Sequence, residues 1–440
     1  MIVSPQRRRE TIDALRAGTV PRRGLDLLAV GMARFEAAID GELESARGGS
    51  GVIKAVRGEY GSGKTFFARW LQERARRSGF AVAEVQISET ETPLHRLETV
   101  YRRLMERLST SDQEQGAFRS IVDSWFFTLE EDVLAGQGSA VIDDVELLEK
   151  TNELMEKRLA SITQIAPAFS AALRGYRAAV AAGDTGSAEA LLAWVSGQPN
   201  VGASAKRAAG IKGEVDHYGA LCFLQGLLIM LRDGGLSGLV LVLDEVETLQ
   251  RVRGDVREKA LNALRQLIDE VHSGRFPGLY LLVTGTPAFY DGPQGIQKLP
   301  PLAQRLHVDF GAEARFDNPR AVQVRLRNFD QSALVEVGCR VRDLFASGND
   351  AAQRVRTLAD DTYIADLAQA LAGKLGGKVG LAPRLFLKKL VGDILDRIEL
   401  FPDFDPRRNY ELTLSNAEMS ADEREAAALP SSLDDIELQL

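Results

Sequence analysis

A chain of 440 residues with 45% hydrophobic and 26% charged side chains has the balance of a globular protein with a core, which excludes a disordered or fibrous chain. No apolar run approaches the roughly 20 residues of a membrane span, and residues 1–18, with Arg7, Arg8 and Arg9 followed by Glu10 and Asp13, lack the apolar centre of a signal peptide, so a cytoplasmic protein with no membrane attachment is expected. A net charge of −8 argues against coating nucleic acid by bulk electrostatics, although local basic patches stay open.

In chain order, the pattern predicts a helix over 10–17, a turn over 18–21 and an amphipathic helix through Phe35 and Ile39 that ends at Gly48 and Gly49. Residues 1–50 thus read as an N-terminal helical approach segment. A β-branched strand over 51–56, a glycine turn, a helix over 63–77, a strand over 80–87 and a helix over 93–108 form the first part of a core, 51–108. Between 109 and 216 no strand pattern occurs. Helical spacing over 121–134, 143–159, 162–181 and 187–194 predicts a helical insertion there. The alternation resumes with a helix over 218–231, a strand over 239–243, a helix over 256–271 and a strand over 279–283, completing the core at 217–329. Helices over 332–345, 364–375 and 383–398 predict a small helical domain at 330–400, and the polar tail 401–440, closing on Asp434, Asp435 and Glu437, is expected to be poorly ordered at its end. The fold class is therefore α/β with a parallel sheet. Cys222 and Cys339 lie far apart, and His95, His217, His272 and His307 are scattered, so neither a structural disulfide nor a zinc site is expected.

Gly58-Glu59-Tyr60-Gly61-Ser62-Gly63-Lys64-Thr65, with Phe66 after it, matches GxxxxGK[ST]. A chance glycine turn is the plain alternative, but a predicted strand before and a helix after make it a phosphate-binding loop. Glycines let the backbone wrap a phosphate, Lys64 reaches the terminal phosphates of ATP, and the Thr65 hydroxyl takes a place on Mg2+. Leu239-Val240-Leu241-Val242-Leu243-Asp244-Glu245 is an apolar strand delivering two carboxylates. Beside such a loop, Asp244 suits the magnesium shell and Glu245 suits the base that deprotonates the attacking water. The next strand runs into Thr284-Gly285-Thr286-Pro287. Thr284 would either sense the γ phosphate, if this strand lies between the other two, or simply solvate its own turn.

Arg305, about twenty residues further on, is placed where one subunit of a ring could push a cation into its neighbour's ATP site, which leaves a homo-oligomer open. Arg384, in Gly380-Leu381-Ala382-Pro383-Arg384, opens the last predicted helix and could fold onto the same chain's γ phosphate. Well-placed cations of this sort change rates by powers of ten. Most arginines are simply surface residues.

These features, in this order, resemble the AAA+ P-loop ATPases, most closely the branch of origin-recognition initiators and signalling NTPases, over roughly residues 20–400. The segment Ile12-Asp13-Ala14-Leu15-Arg16-Ala17-Gly18-Thr19-Val20-Pro21, the loop from Arg57 to Thr65 and Leu243-Asp244-Glu245-Val246-Glu247 resemble the ATP-binding proteins of BREX phage-resistance systems, the BrxD type. The resemblance implies an AAA+ fold with a C-terminal helical lid, ATP and Mg2+ as ligands, and an antiviral role beside a helicase-like partner or other defence components on DNA, with direct DNA contact left open. Residues 401–440 are too few and too polar for the winged helix of initiators, so origin reading by that device is not expected. Two rivals to an ATP-hydrolysing motor or switch stand: a nucleotide-gated scaffold with little turnover, and a signalling NTPase, which would need a fused DNA-binding or repeat domain that the sequence does not suggest.

Overall fold

The computed structural model describes residues 3–137, 143–375, 383–419 and Arg424. The acidic closing stretch and Gly380, Leu381 and Ala382 lie outside them. The architecture is α/β, built on one parallel five-stranded sheet of order β2-β3-β4-β1-β5. The strands are β1 (Val52–Arg57), β2 (Ala81–Gln86), β3 (Leu239–Asp244), β4 (Leu279–Gly285) and β5 (Gln323–Arg325). β4 therefore lies between β1 and β3, the arrangement on which the reading of Thr284 depended.

Helices cover both faces of the sheet, so its central strands β3 and β4 read as continuous apolar runs. Alternation still sorts their side chains: Leu239, Leu241, Leu243, Leu279, Leu281 and Val283 join one core, with the helices from Leu97–Arg107 to Gly254–His272. Val240, Val242, Tyr280 and Leu282 face the other way, onto helices Ala33–Arg47 and Lys64–Arg77. Register brings the carboxyl ends level, with Gln86 opposite Asp244, Leu243 opposite Val283 and Val56 opposite Thr284. Ligands of open α/β sheets bind at that end.

Between Ser109 and Asp216 the described residues form five helices, Phe118–Gln137, Asp144–Ile165, Pro167–Ala181, Thr185–Val195 and Ala203–Ala208. The run expected as one helix over 162–181 is broken at Ala166, because Pro167 cannot donate a backbone hydrogen bond and opens the next helix instead. The first helix begins at Pro5 rather than 10, since the Ser4 hydroxyl caps Arg7 N and proline suits the first turn. The helix expected from 93 starts only at Leu97.

A third core contains no strand residue. Ile12, Leu15, Leu28 and Val30 pack with residues of Gln331–Ala346, Ala352–Leu358, Asp361–Lys374 and the run Pro383–Leu400, whose middle, Lys389–Leu395, is π-helical. The N-terminal segment thus bridges two bodies. Glu73, on the helix after β1, holds it: its carboxylate accepts from Gly24 N (3.1 Å), Leu25 N (2.9 Å), Arg7 (3.0 Å) and Arg77 (2.7 Å).

Candidate functional site

The loop after β1 needs glycine for stated reasons. Gly61 and Gly63 hold φ of +80° and +91°, the left-handed region that side chains avoid. A Cβ on Gly58 would lie 2.2 Å from Ser62 Oγ. The turn then feeds directly into the helix Lys64–Arg77, whose first N–H groups have no carbonyl partner within the helix. Lys64 Nζ folds back onto Gly58 O (2.9 Å) and Glu59 O (3.2 Å), 5.0 Å from the centre of the Tyr60 ring. Burial pushes its pKa below the usual lysine value, although Glu247 (3.9 Å) and Asp244 pull the other way.

At the end of β3, Asp244 is a hub. One carboxylate oxygen accepts from the Thr284 hydroxyl and from Glu245 N (3.1 Å), and the other from Thr65 Oγ1 (3.4 Å). Burial raises its pKa above the usual carboxylate range, against the pull of the Thr284 hydrogen bond. Glu245 sits in the left-handed region at φ +59°, one of only two non-glycine residues there among those described. A carboxylate side chain in that conformation is strained, and the strain turns the backbone so that Glu245 N reaches Asp244 and Thr284. Its own carboxylate accepts from Gln86 Nε2 (2.8 Å), the last residue of β2.

A cavity of about 380 Å³ opens beside this cluster, lined by Tyr60, Gly61, Ser62, Gly63, Lys64, Thr65, Phe66, Asp244, Glu245, Glu247 and Arg384. Its other wall is apolar: Leu15, Val20, Pro21, Leu28, Val30 and Met32 from the N-terminal segment, and Phe329, Val337 and Leu387 from the helical body. Arg384 also donates to Glu418 O (2.6 Å). Arg305 is elsewhere. It pairs with Asp269 and with Pro301 O (2.8 Å), and it is not among the residues lining the cavity.

Two features escaped the sequence reading of the site. Glu247 is 5% exposed, and neither carboxylate oxygen has a hydrogen-bond partner among the described residues; burial raises its pKa. Its signal was a carboxylate three positions after Asp244, where a tight turn brings it back to the same end of the strand. The apolar wall from the N-terminal segment had no local signal, since it arises only from tertiary packing.

Sheet, glycine loop and carboxylate pair together define an α/β chain with a cavity, polar on one wall and apolar on the other, at the carboxyl ends of its parallel strands. The chain belongs to the family of BREX system ATP-binding proteins BrxC/D, whose model matches residues 3–414. No curated protein and no solved structure matches it. No helix among the described residues is long and apolar enough to cross a membrane.

Proposed function

We propose that the chain is a magnesium-dependent ATPase of AAA+ type, with a helical insertion at 109–216 and a helical lid at 330–400 on a core of 51–108 and 217–329, working as motor or switch in a BREX anti-phage complex. The observation that carries this reading is the meeting of Lys64, Thr65, Asp244, Glu245 and Thr284 at the ends of β1, β3 and β4. Family membership supports ATP as the ligand.

Two buried features fit a phosphate ligand and its metal. The Ser62 hydroxyl in the loop and both Glu247 oxygens beside Lys64 have no hydrogen-bond partner among the described residues. Thr65 and Asp244 would hold magnesium, which when bound supplies charge neutralisation at phosphate oxygens. Residues 58–66 hold the phosphates, with Lys64 as the loop's cation, and the apolar wall accepts the base. Glu245 takes the proton of the attacking water, and Thr284 fixes Asp244 and hydrogen-bonds near the terminal phosphate. Arg384 acts from the lid of the same chain, and Arg305 from a second copy. A helicase-like partner, DNA and a cytoplasmic setting belong to this reading.

The Gln86 amide on Glu245 favours a second reading, a nucleotide-gated scaffold, because a carboxylate so held is turned from its work as a base. ATP turnover with and without DNA separates the two. Rapid turnover stimulated by DNA supports the motor; tight binding with negligible turnover supports the scaffold.

A further inference from the structure

A second, larger cavity, of about 570 Å³, lies at the β2 edge and shares no lining residue with the first. Six arginines line it: Arg22 and Arg23 from the N-terminal segment, Arg69 and Arg76 from the helix after β1, and Arg103 and Arg107 from the helix Leu97–Arg107. Only three carboxylates, Glu84, Glu91 and Glu114, face them, a formal surplus of three positive charges in a chain whose net charge is −8.

The carboxylates are already engaged. Glu84 takes Gln72 (2.8 Å) and Arg69 (3.6 Å), Glu91 takes Arg103 (3.1 Å), and Glu114 takes Arg23 (2.7 Å). Arg76 is different from its neighbours in the last turn of its helix. Arg74 pairs with Asp40 and Arg77 with Glu73, whereas half-buried Arg76 turns to the cavity with no hydrogen bond or ion pair among the described residues. Partial burial of a cation without an ion pair is costly, and burial accordingly depresses its pKa. Arg107, exposed at the end of its helix, likewise forms no ion pair with a described residue.

Arginine forks match phosphate oxygens two at a time, which a lysine-lined hollow could not do. No aromatic side chain among the described residues lines the cavity, so the aromatic platform on which successive bases of a single strand stack is missing there. Its volume is that of a small-ligand pocket rather than the extended stripe a duplex needs. We propose that this arginine-lined cavity is a second anion site, separate from the glycine loop, that takes a compact ligand carrying two or more phosphate groups.

Inorganic tripolyphosphate is the probe, titrated calorimetrically into the full chain. Lys64→Ala should keep one binding event, and Arg76→Gln with Arg107→Gln should weaken that event at least about tenfold while leaving ATP affinity unchanged. Arg107→Gln alone, at an exposed helix end, gives a folded variant with a smaller loss, and Arg76→Lys should restore only part of the binding. Tripolyphosphate affinity and stoichiometry unchanged in both the double variant and Arg107→Gln would overturn the site. Displacement of tripolyphosphate by a short DNA duplex at equal phosphate concentration would overturn the compact ligand in favour of a nucleic-acid backbone.

Discussion

Lys64 is a buried ammonium held by two backbone carbonyls and faced at 3.9 Å by a carboxylate, so its charge is only partly compensated by the protein. An anion in the cavity would complete the compensation. Lys64→Ala is therefore expected to remove most nucleotide affinity; calorimetric titration with ATP checks it, and undiminished binding would reduce the loop to a structural turn. Glu247 gives a pH prediction. Its folded pKa is raised by burial, whereas the unfolded carboxyl ionises in the ordinary range, so the native state binds the extra proton in the interval between them. Its contribution to stability is thus greatest below the unfolded pKa and is lost as pH rises through the folded one. Glu247→Gln should raise the melting temperature of the nucleotide-free protein at pH 7.5, by on the order of 1–2 °C, and the gain should shrink toward zero in acid. A variant that melts lower than wild type at pH 7.5 would assign Glu247 a structural ion pair with Lys64.

Among the elements, β1 is anchored by an unusual device. Lys54, 1% exposed, pairs with Glu42 (2.5 Å) on the helix Ala33–Arg47 and donates to Pro319 O and Ala321 O, while the Tyr280 hydroxyl of β4 donates to Glu42 (2.6 Å). The network ties two central strands, a covering helix and the lead-in to β5. Glu42→Ala leaves Lys54 buried without its counterion and should cost about 3 kcal/mol, read as a lower urea midpoint; Glu42→Leu with Lys54→Met should recover much of it. An unchanged midpoint in Glu42→Ala would mean that the carbonyls alone satisfy Lys54. The long strands were legible because both faces are buried: β3 and β4 are unbroken apolar runs ending in turn residues, and β1 and β2 are each interrupted by a single charged residue, Lys54 and Glu84. β5 was not, for Gln323-Val324-Arg325 is three residues with a single apolar side chain pointing into a core. The short helices Ala203–Ala208 and Ala352–Leu358 were missed for the same reason, since two turns carry too little periodicity. The glycine loop and the Asp244-Glu245 pair stood out because their chemistry is local. Glu247, Gln86 and the apolar wall owe their places to register and packing.

For the whole molecule, the assignment of Arg305 and Arg384 to opposite sides of one ATP makes a prediction about assembly. Arg384 lines the cavity of its own chain, and Arg305 does not. Mixing an inactive Lys64 variant with an inactive Arg305 variant should restore part of the hydrolysis, since some interfaces then join an intact loop to an intact Arg305. A mixture of Lys64 and Arg384 variants should stay inactive. Rescue of neither, with a monomer mass in ATP, would remove the trans role of Arg305.

The central claim, that Glu245 serves as the base of an ATPase, is tested most directly by phosphate release from wild type and Glu245→Gln at saturating ATP and magnesium. The substitution keeps shape and removes basicity, so ATP should still bind while release falls by about 10² or more. Equal release from the two proteins would contradict the account and leave a nucleotide-gated scaffold in its place.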